Sequence, residues 1–358
     1  MGTRIAKTVD VPRLERLNLV TLGGSDWGRC FALHCRAHAE QGTRARSLEA
    51  YQGAQLAAAA GVASRARSWV ARERAEVIAK LDLSWNDSMP ELAVLNLYVA
   101  PEARHAGIAR ALVAEVLCEA EREGVQQIES SMTRPESWRL CERYGGRHAR
   151  GGALLTLRLA DTNWSLVDAW CADGPKRSPD AHLQQLEQLP NALVDSFIAL
   201  HNQAWSDQPH AAHAGEPLTL AQRREQECSY QRLGWRWITL VARDSHGLLV
   251  GFTDVLYDPA QPEIVRQNFT GVRPSHRGRG LAKWLKASMV HLVRHRFPGA
   301  LQLTTSNSDV NGPMLAINGR LGFGSPIQHR TYRFELAQLR AAVVGTSGHN
   351  QHLGNIVR

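Results

Sequence analysis

The sequence contains Val272-Arg-Pro-Ser-His-Arg277-Gly-Arg-Gly280-Leu-Ala282 and, 173 residues earlier, Val99-Ala-Pro-Glu-Ala-Arg104-His-Ala-Gly107-Ile-Ala109. Each stretch follows a strand-like run and opens an amphipathic helix. Backbone N–H groups at a helix N-terminus lack intrahelical partners, and the helix dipole adds partial positive charge there. Small residues let a phosphate approach the backbone closely, and Arg supplies charge and donors. The repeat therefore predicts two anion-binding loops, one in each half of the chain.

Length and composition agree with two domains. The chain has 358 residues, of which 44% are hydrophobic and 21% charged, values typical of a globular protein. We predict domains at residues 1–160 and 161–340 and a flexible tail at 341–358. Residues Gly151–Leu159 are predicted to close the first domain as a strand, and Ser165–Cys171 to begin the second as another strand.

Other whole-chain features narrow the function classes. We find no apolar run of the roughly 18 residues that a membrane span needs and no signal peptide, so we expect a cytoplasmic protein without a membrane partner. The six cysteines form no Cys-x-x-Cys pair, which favours reduced thiols. A net charge of +8 favours a polyanionic ligand such as CoA, an acidic carrier protein or RNA, but it also fits a generally basic surface.

One cluster of metal-ligand residue types occurs in the first half. Cys30, His34 and His38 follow one another at intervals of four residues on a predicted helix and so share a face. Their spacing matches no closed four-ligand zinc pattern. We therefore predict no metal and favour ordinary packing, with a role for either histidine in acceptor chemistry left open.

The two loops carry a family resemblance. Arg-x-x-Gly-x-Ala after a strand is neither a Walker A motif nor a dinucleotide fingerprint, and it resembles the pyrophosphate loop of the GCN5-related N-acetyltransferase (GNAT) superfamily. In the second half, Asn307-Ser-Asp-Val-Asn311-x-x-Met314-x-x-x-Asn318-x-x-Leu321-Gly322-Phe323 resembles the last helix motif of this superfamily. It is similar in particular to the mycothiol-synthase-like tandem group. Asn202-x-x-Trp205-Ser-Asp207-x-Pro209 resembles the acceptor-side helix of that group.

The resemblance implies an α/β (α+β) fold of two tandem GNAT-like domains, each with a mixed, mostly antiparallel central sheet flanked by helices. It also implies acetyl-CoA or another acyl-CoA as donor substrate, whose pantetheine arm enters a splay between the fourth and fifth strands. The residues that it assigns to the donor in the second copy are Thr270, Val272, Arg273, Arg277, Gly278, Arg279, Gly280, Ala282 and Lys283. In the first copy it assigns Arg104, Gly107 and Ala109, and it assigns Asn202 and Trp205 to the acceptor.

The catalytic residues depart from the pattern of the family. Many GNATs use a Tyr of the last helix as acid, but the comparable positions here are Asn318 and Cys141. An Asn amide donates a hydrogen bond but is no useful acid. The sequence therefore predicts Asn318 and Asn311 as hydrogen-bonding groups. Asp254, with Asp258 and Glu263 as alternatives, is predicted to act through water, and proximity and orientation supply much of the rate.

The first domain departs further, since His105 and Ala106 replace the Gly-Arg pair and Gly146 stands at the position of Phe323. We predict that it is degenerate and shapes the acceptor channel of an active second domain. CoA binding without turnover, or a second active site, are the alternatives for the first domain.

The predicted activity is N-acyl transfer from acyl-CoA to a primary amine of a small molecule, through a ternary complex, in specialised metabolism or drug resistance. Two alternatives remain at this point. The same fold accepts the acyl group from an acyl carrier protein or an aminoacyl-tRNA, or the protein is a non-catalytic acyl-CoA-binding regulatory module.

Overall fold

A computed structural model describes residues 12–59, 65–85, 89–208 and 217–345. The chain folds into two compact units. The first consists of the described residues up to Ala149 together with those from His329 onward, and the second runs from Arg150 to Gln328. Pro209 and the residues after 345 lie outside the described part.

The first unit is built around a six-stranded sheet in the order β1-β2-β3-β4-β5-β12. All neighbouring strands are antiparallel except β4 and β5, which are parallel. Its elements are β1 (Arg13–Leu17), α1 (Gly24–Glu40), α2 (Leu48–Ala59), β2 (Arg65–Glu73), β3 (Glu76–Trp85), β4 (Leu92–Val99), α3 (Ile108–Arg122), β5 (Gln127–Met132), α4 (Pro135–Arg143), the end of β12 (Gly324–Glu335) and α10 (Leu336–Gly345).

The second unit repeats this plan, with its strands in the order β6-β11-β10-β9-β8-β7 and with β10 and β11 parallel. Its elements are β6 (Arg147–Arg158), α5 (Trp164–Arg177), β7 (His182–Leu186), α6 (Asn191–Ser206), α7 (Leu220–Arg232), β8 (Arg236–Arg243), β9 (Leu249–Tyr257), β10 (Ile264–Val272), α8 (Leu281–Arg296), β11 (Gln302–Ser308) and α9 (Gly312–Leu321). Each unit thus has the predicted mixed, mostly antiparallel sheet with flanking helices.

The two halves of the sequence exchange their last strands. Gly152–Arg158 of β6 pair with β11 in the second unit, and Arg330–Glu335 of β12 pair with β5 in the first. The strand at Gly151–Leu159 therefore does not close the first domain, and the predicted boundary at residue 160 differs from the observed division. The physical reason is that both segments have the residue types and the alternation of a strand. The local sequence therefore does not specify which of the two sheets each segment joins.

A helix follows each exchanged strand and packs on the helix after the anion loop of the same unit. In the first unit α10 packs on α3 with Leu336, Leu339 and Val343 buried, and the Arg110 guanidinium donates to the Val343 carbonyl over 3.0 Å. Residues 341–345 are therefore helical, contrary to the predicted tail.

In the second unit α5 packs on α8, so the predicted strand at Ser165–Cys171 is wrong. The Asn163 side chain caps this helix by accepting from the Leu166 N–H, and Val167, Trp170 and Gly174 are buried at helical spacing.

Helix α8 has the amphipathic character that its sequence predicts. It begins directly after Gly280, and its apolar residues face the sheet and α5 because they recur at intervals of three and four. The buried members of the predicted face are Leu281, Trp284, Leu285, Met289 and Val293. The N-terminus of α8 is thereby held at the end of β10, next to the predicted anion loop.

Candidate functional site

Strands β10 and β11 part after only three residue pairs. Ile264, Val265 and Arg266 pair with residues 302–304, after which β10 runs on to Val272 with β9 as its described partner. The first unit has the same geometry, since β4 pairs with β5 only at residues 92–94. A strand that parts from its neighbour exposes backbone N–H and C=O groups that seek a partner. Each unit therefore offers an open strand edge leading to its anion loop.

The second unit alone has a bulge at this point. The register between β9 and β10 shifts between Gln267 and Thr270, whereas the β3–β4 ladder of the first unit runs without a shift from Ala79 to Trp85. A bulge redirects side chains next to active sites. Here it places Phe269 against α6.

Asp254 holds this bulge. Its carboxylate accepts the Phe269 N–H over 2.9 Å and the Trp237 indole N–H over 2.6 Å. Burial raises the pKa of Asp254, and the nearby Arg223 guanidinium opposes that rise. Because both oxygens already accept hydrogen bonds, the observed contacts give Asp254 a structural role. Its predicted action through water stays a prediction.

The two anion loops share one backbone conformation. Gly280 and Gly107, the residues that precede α8 and α3, have φ angles of 81° and 80°. Gly278 and His105, two residues earlier, also have positive φ angles, of 77° and 65°. Residues in this conformation that alternate with residues of ordinary φ turn consecutive backbone N–H groups toward one side, where an anion binds. Ala282 and Ala109 lie in the first turns of these helices, so their small side chains leave that side open.

Arg277 and Arg104 each tie one loop to the strand before it and to an acidic side chain of the same unit. The Nε of Arg277 donates to the Val272 carbonyl over 3.0 Å, and its guanidinium lies 2.5 Å from Asp207. The Nε of Arg104 likewise donates to Val99 over 3.0 Å, and its two terminal nitrogens lie 2.9 and 2.5 Å from the Glu40 carboxylate. The structure thus gives the predicted phosphate arginines an internal partner at the end of α6 or α1.

The other predicted donor residues divide between internal and exposed positions. Arg273 donates to the Leu249 carbonyl over 3.2 Å, whereas Arg279 is exposed and lies 3.7 Å from Asp180. The Thr270 hydroxyl lies 2.7 Å from that of Thr253, and Val272 is buried in the core. Lys283 lies in the first turn of α8 at the edge of a cavity.

The two asparagines predicted for catalysis have structural contacts. Asn311 caps α9, since its side-chain oxygen accepts the Met314 N–H. Asn318 is completely buried, and its amide donates to Asn307 over 2.5 Å while its own oxygen has no hydrogen-bond partner in the described part of the chain. Both residues thereby order the helix that follows β11, and their catalytic roles stay predictions.

The acceptor-side motif lies over the bulge. Asn202 pins the segment before α7, because its amide donates to the Leu218 carbonyl over 2.9 Å and its oxygen accepts the Leu218 N–H over 2.8 Å. The Trp205 ring packs edge-on against Phe269 with centroids 5.7 Å apart. Trp205 therefore contacts the bulge, whereas the Asn202 side chain is hydrogen-bonded to the backbone of Leu218.

The sequence interpretation missed His201, the neighbour of Asn202. Its ring lies 5.2 Å from the Phe269 ring, and its Nδ1 lies 3.4 Å from the Asn202 side-chain oxygen. Burial lowers the pKa of His201, so the imidazole is neutral near pH 7. Donation from Nδ1 to Asn202 leaves the lone pair on Nε2, the form in which a histidine accepts a proton. The signal was the position of a histidine beside the Asn-x-x-Trp motif.

In the first unit, Cys30, His34 and His38 lie on one helix as predicted. The His34 and His38 rings are 4.5 Å apart, and burial lowers the pKa of His34 to about 4. Beneath them Lys80 pairs with Asp82, which also accepts from Ser68 over 2.5 Å. Among the described residues no group of three or more His, Cys, Asp or Glu side chains is arranged to hold a metal.

Comparisons with known proteins agree with this architecture. The sequence model of the acetyltransferase (GNAT) domain matches residues 64–145, which lie in the first unit. A tandem GNAT protein from the clavulanic acid biosynthesis pathway, solved without acetyl-CoA, is 23% identical, with a TM-score of 0.74 over 90% of this chain and 99% of its own. A GCN5-related N-acetyltransferase from Sphaerobacter thermophilus is 17% identical, with a TM-score of 0.64 over 90% and 96%.

A putative acetyltransferase from Pyrococcus horikoshii is 11% identical, with a TM-score of 0.53 over 93% of both chains. No curated protein matches the sequence. The predicted resemblance to GNAT acetyltransferases and the predicted fold of two tandem GNAT-like domains are confirmed. In the described ranges, no helix is both long and apolar enough to cross a bilayer.

Proposed function

This chain carries a GNAT acetyltransferase domain within a tandem GNAT fold, and we propose that its second unit transfers an acyl group from acyl-CoA to a primary amine of a small molecule. The observation that carries the proposal is the continuity of the open β10 edge with the loop before α8. Amide groups of a pantetheine arm pair with such an edge, and a pyrophosphate binds at such a loop. One extended donor molecule satisfies both.

Three differences between the units favour the second one for turnover. It has the bulge in β10, the imidazole of His201 packed on Phe269 of that bulge, and cations beside the loop that have no carboxylate partner among the described residues. In the first unit, by contrast, His105 stands in the loop position that Gly278 occupies in the second, whereas Arg104 pairs with Glu40 just as Arg277 pairs with Asp207. The match of the GNAT domain to residues 64–145 supports a first unit that keeps the fold, and CoA binding there is an outcome of the test below.

The proposed chemistry is direct transfer within a ternary complex. The amine nitrogen attacks the thioester carbonyl, the new C–N bond forms, and the C–S bond breaks to release the CoA thiolate. The amine gives up its proton to a base, and we assign that role to His201 because its neutral imidazole packs on the bulge. Positioning of the two substrates supplies much of the rate, since a thiolate is a good leaving group.

The test is a titration of acetyl-CoA into the wild-type chain and two matched variants, Gly280→Glu and Gly107→Glu. Both glycines have the same backbone conformation, so the backbone strain of the substitution is equal at the two positions. Gly280→Asn serves as a conformational control, because Asn tolerates positive φ. We expect Gly280→Glu to weaken binding by at least about tenfold, with Gly107→Glu close to wild type.

Each other result has a definite meaning. Loss of binding only in Gly107→Glu would move the donor site to the first unit. No binding of acetyl-CoA to the wild type would refute the proposal and turn the search to carrier-protein or aminoacyl-tRNA donors. Binding without thiol release across a panel of amines would favour the regulatory module.

The structural neighbour from clavulanic acid biosynthesis supports a role in specialised metabolism. A screen of small-molecule amines as acceptors would test this part of the proposal.

A further inference from the structure

A cavity of about 170 Å³ lies beside the second anion loop. It is lined by Trp170, Asp173 and Arg177 of α5, by Gly280 and Lys283 at the start of α8, and by Arg320 of α9. Ligand pockets for whole drug-sized molecules span about 300–1,000 Å³, so this cavity suits one end group of a larger ligand.

Three cations from three helices converge on this cavity. The Lys283 ammonium lies 5.7 Å and the Arg320 guanidinium carbon 5.2 Å from the centre of the Trp170 ring. The Arg177 Nε lies 3.0 Å from the point where a Cβ on Gly280 would stand. The chain therefore brings two of the charges against one indole and the third over the glycine of the loop.

These cations have no carboxylate partners within the residues that the structure describes. The one acidic residue of the lining, Asp173, forms an ion pair with Lys176 of the same helix, with the two charged groups 3.6 Å apart. Arg277 and Arg104 differ in this respect, since each is paired with an acid. Like charges that gather without a counter-charge repel one another, and a multivalent anion relieves that repulsion.

We propose that this cavity binds the 3′-phosphate on the adenosine end of acyl-CoA and so makes the second unit selective for CoA over 3′-dephospho-CoA. The inference rests on the proposed function. Gly280 belongs both to the cavity and to the loop assigned to the pyrophosphate, so a phosphomonoester joined to that pyrophosphate by a ribose reaches the cavity. Arg177 and Arg320 supply planar donors that suit a phosphate dianion, and Lys283 adds a point charge.

The proposed phosphate site depends on helix α5, which the sequence motifs do not include. This helix contributes Trp170 and Arg177, and it lies outside both the loop motif and the last-helix motif. It packs so closely on α8 that a Cβ at Gly174 would meet the indole of Trp284 at 2.2 Å. The close packing fixes the position of Arg177 relative to the loop.

The experiment compares the affinities of CoA and 3′-dephospho-CoA for the full chain by calorimetry. We expect the wild type to prefer CoA by about tenfold or more, the range of a charge-assisted phosphate contact. Arg320→Gln and Arg177→Gln should each reduce that preference to below about threefold by weakening CoA alone. Arg294→Gln is the matched control, since it removes one positive charge at the other end of α8 and should preserve the preference.

Equal affinity of the wild type for the two ligands would overturn this inference and leave the proposed function intact. Equal weakening of both ligands by Arg320→Gln and Arg177→Gln would overturn it too, because the residues would then serve the loop or the fold. Failure of the wild type to bind either ligand would refute the proposed function as well.

Discussion

The contact between Gly174 and Trp284 supports a quantitative test of how α5 is held. A Cβ at Gly174 would lie 2.2 Å from Cγ and 2.3 Å from Cδ2 of the Trp284 indole. Real carbon contacts begin well beyond that distance, so Gly174→Ala must displace α5 or rotate the indole. Gly319 in α9 is the matched control, because a Cβ there would meet nothing within 4 Å. Each glycine lies within three residues of the end of its helix.

The expected magnitude follows from two opposing contributions. Replacing Gly by Ala inside a helix stabilises the fold by about 0.5–1 kcal/mol. Overpacking a filled core costs about 1–3 kcal/mol, and the distance at Gly174 places it at the upper end. We therefore expect Gly174→Ala to destabilise the second unit by about 2–2.5 kcal/mol and Gly319→Ala to stabilise it by about 0.5–1 kcal/mol.

The assay is urea unfolding of both variants and the wild type, followed by circular dichroism and by tryptophan fluorescence. A Gly174→Ala variant as stable as Gly319→Ala would refute the packing argument. A second test repeats both substitutions in a Trp284→Leu background, where the smaller side chain leaves room. The penalty at Gly174 should shrink there by more than 1 kcal/mol, roughly, while the gain at Gly319 stays constant.

Three further predictions concern the exchanged strand and two histidines. A chain that ends at Gln328 lacks the strand that pairs with β5, so its first unit should lose cooperative unfolding and become sensitive to protease. A first unit that unfolds as cooperatively as in the full chain would contradict the strand exchange. The pKa of His34 is lowered to about 4, so the folded state resists protonation, and its contribution to stability should be lost as pH falls from about 6.5 toward 4. That loss is at most roughly 3 kcal/mol, reduced by partial solvent exposure, and His34→Asn should flatten it in unfolding measurements across pH. The pKa of His201 is also lowered, so the rate of acyl transfer should fall on the acid side only at a pH below the ordinary histidine range. His201→Gln should remove this acid-side fall and slow turnover by about 100-fold or more. A pH–rate profile that keeps the fall in this variant would exclude His201 as the base.

Local sequence determined the elements and the loops because their causes are local. The repeated loop places glycine where the backbone needs a positive φ, and the apolar spacing of α8 fixes which face is buried. Asn163, which caps α5 by accepting the Leu166 N–H, is a local signal for a helix that the predicted strand at Ser165–Cys171 did not take into account. The family resemblance of both loops could be read for the same reason.

Tertiary structure alone decided which strand completes each sheet, and which side chains share the site. The residue pattern of each exchanged strand fits the edge of either sheet. The packing of the helix that follows the strand therefore decides which sheet the strand joins. The partners of Arg277, Asp254 and Asn202 come from distant segments, and those partners decide whether a polar side chain faces a ligand or its own backbone. The cavity at Trp170 arises in the same way, because its lining comes from α5, α8 and α9, which are separated in sequence and meet only in the folded second unit.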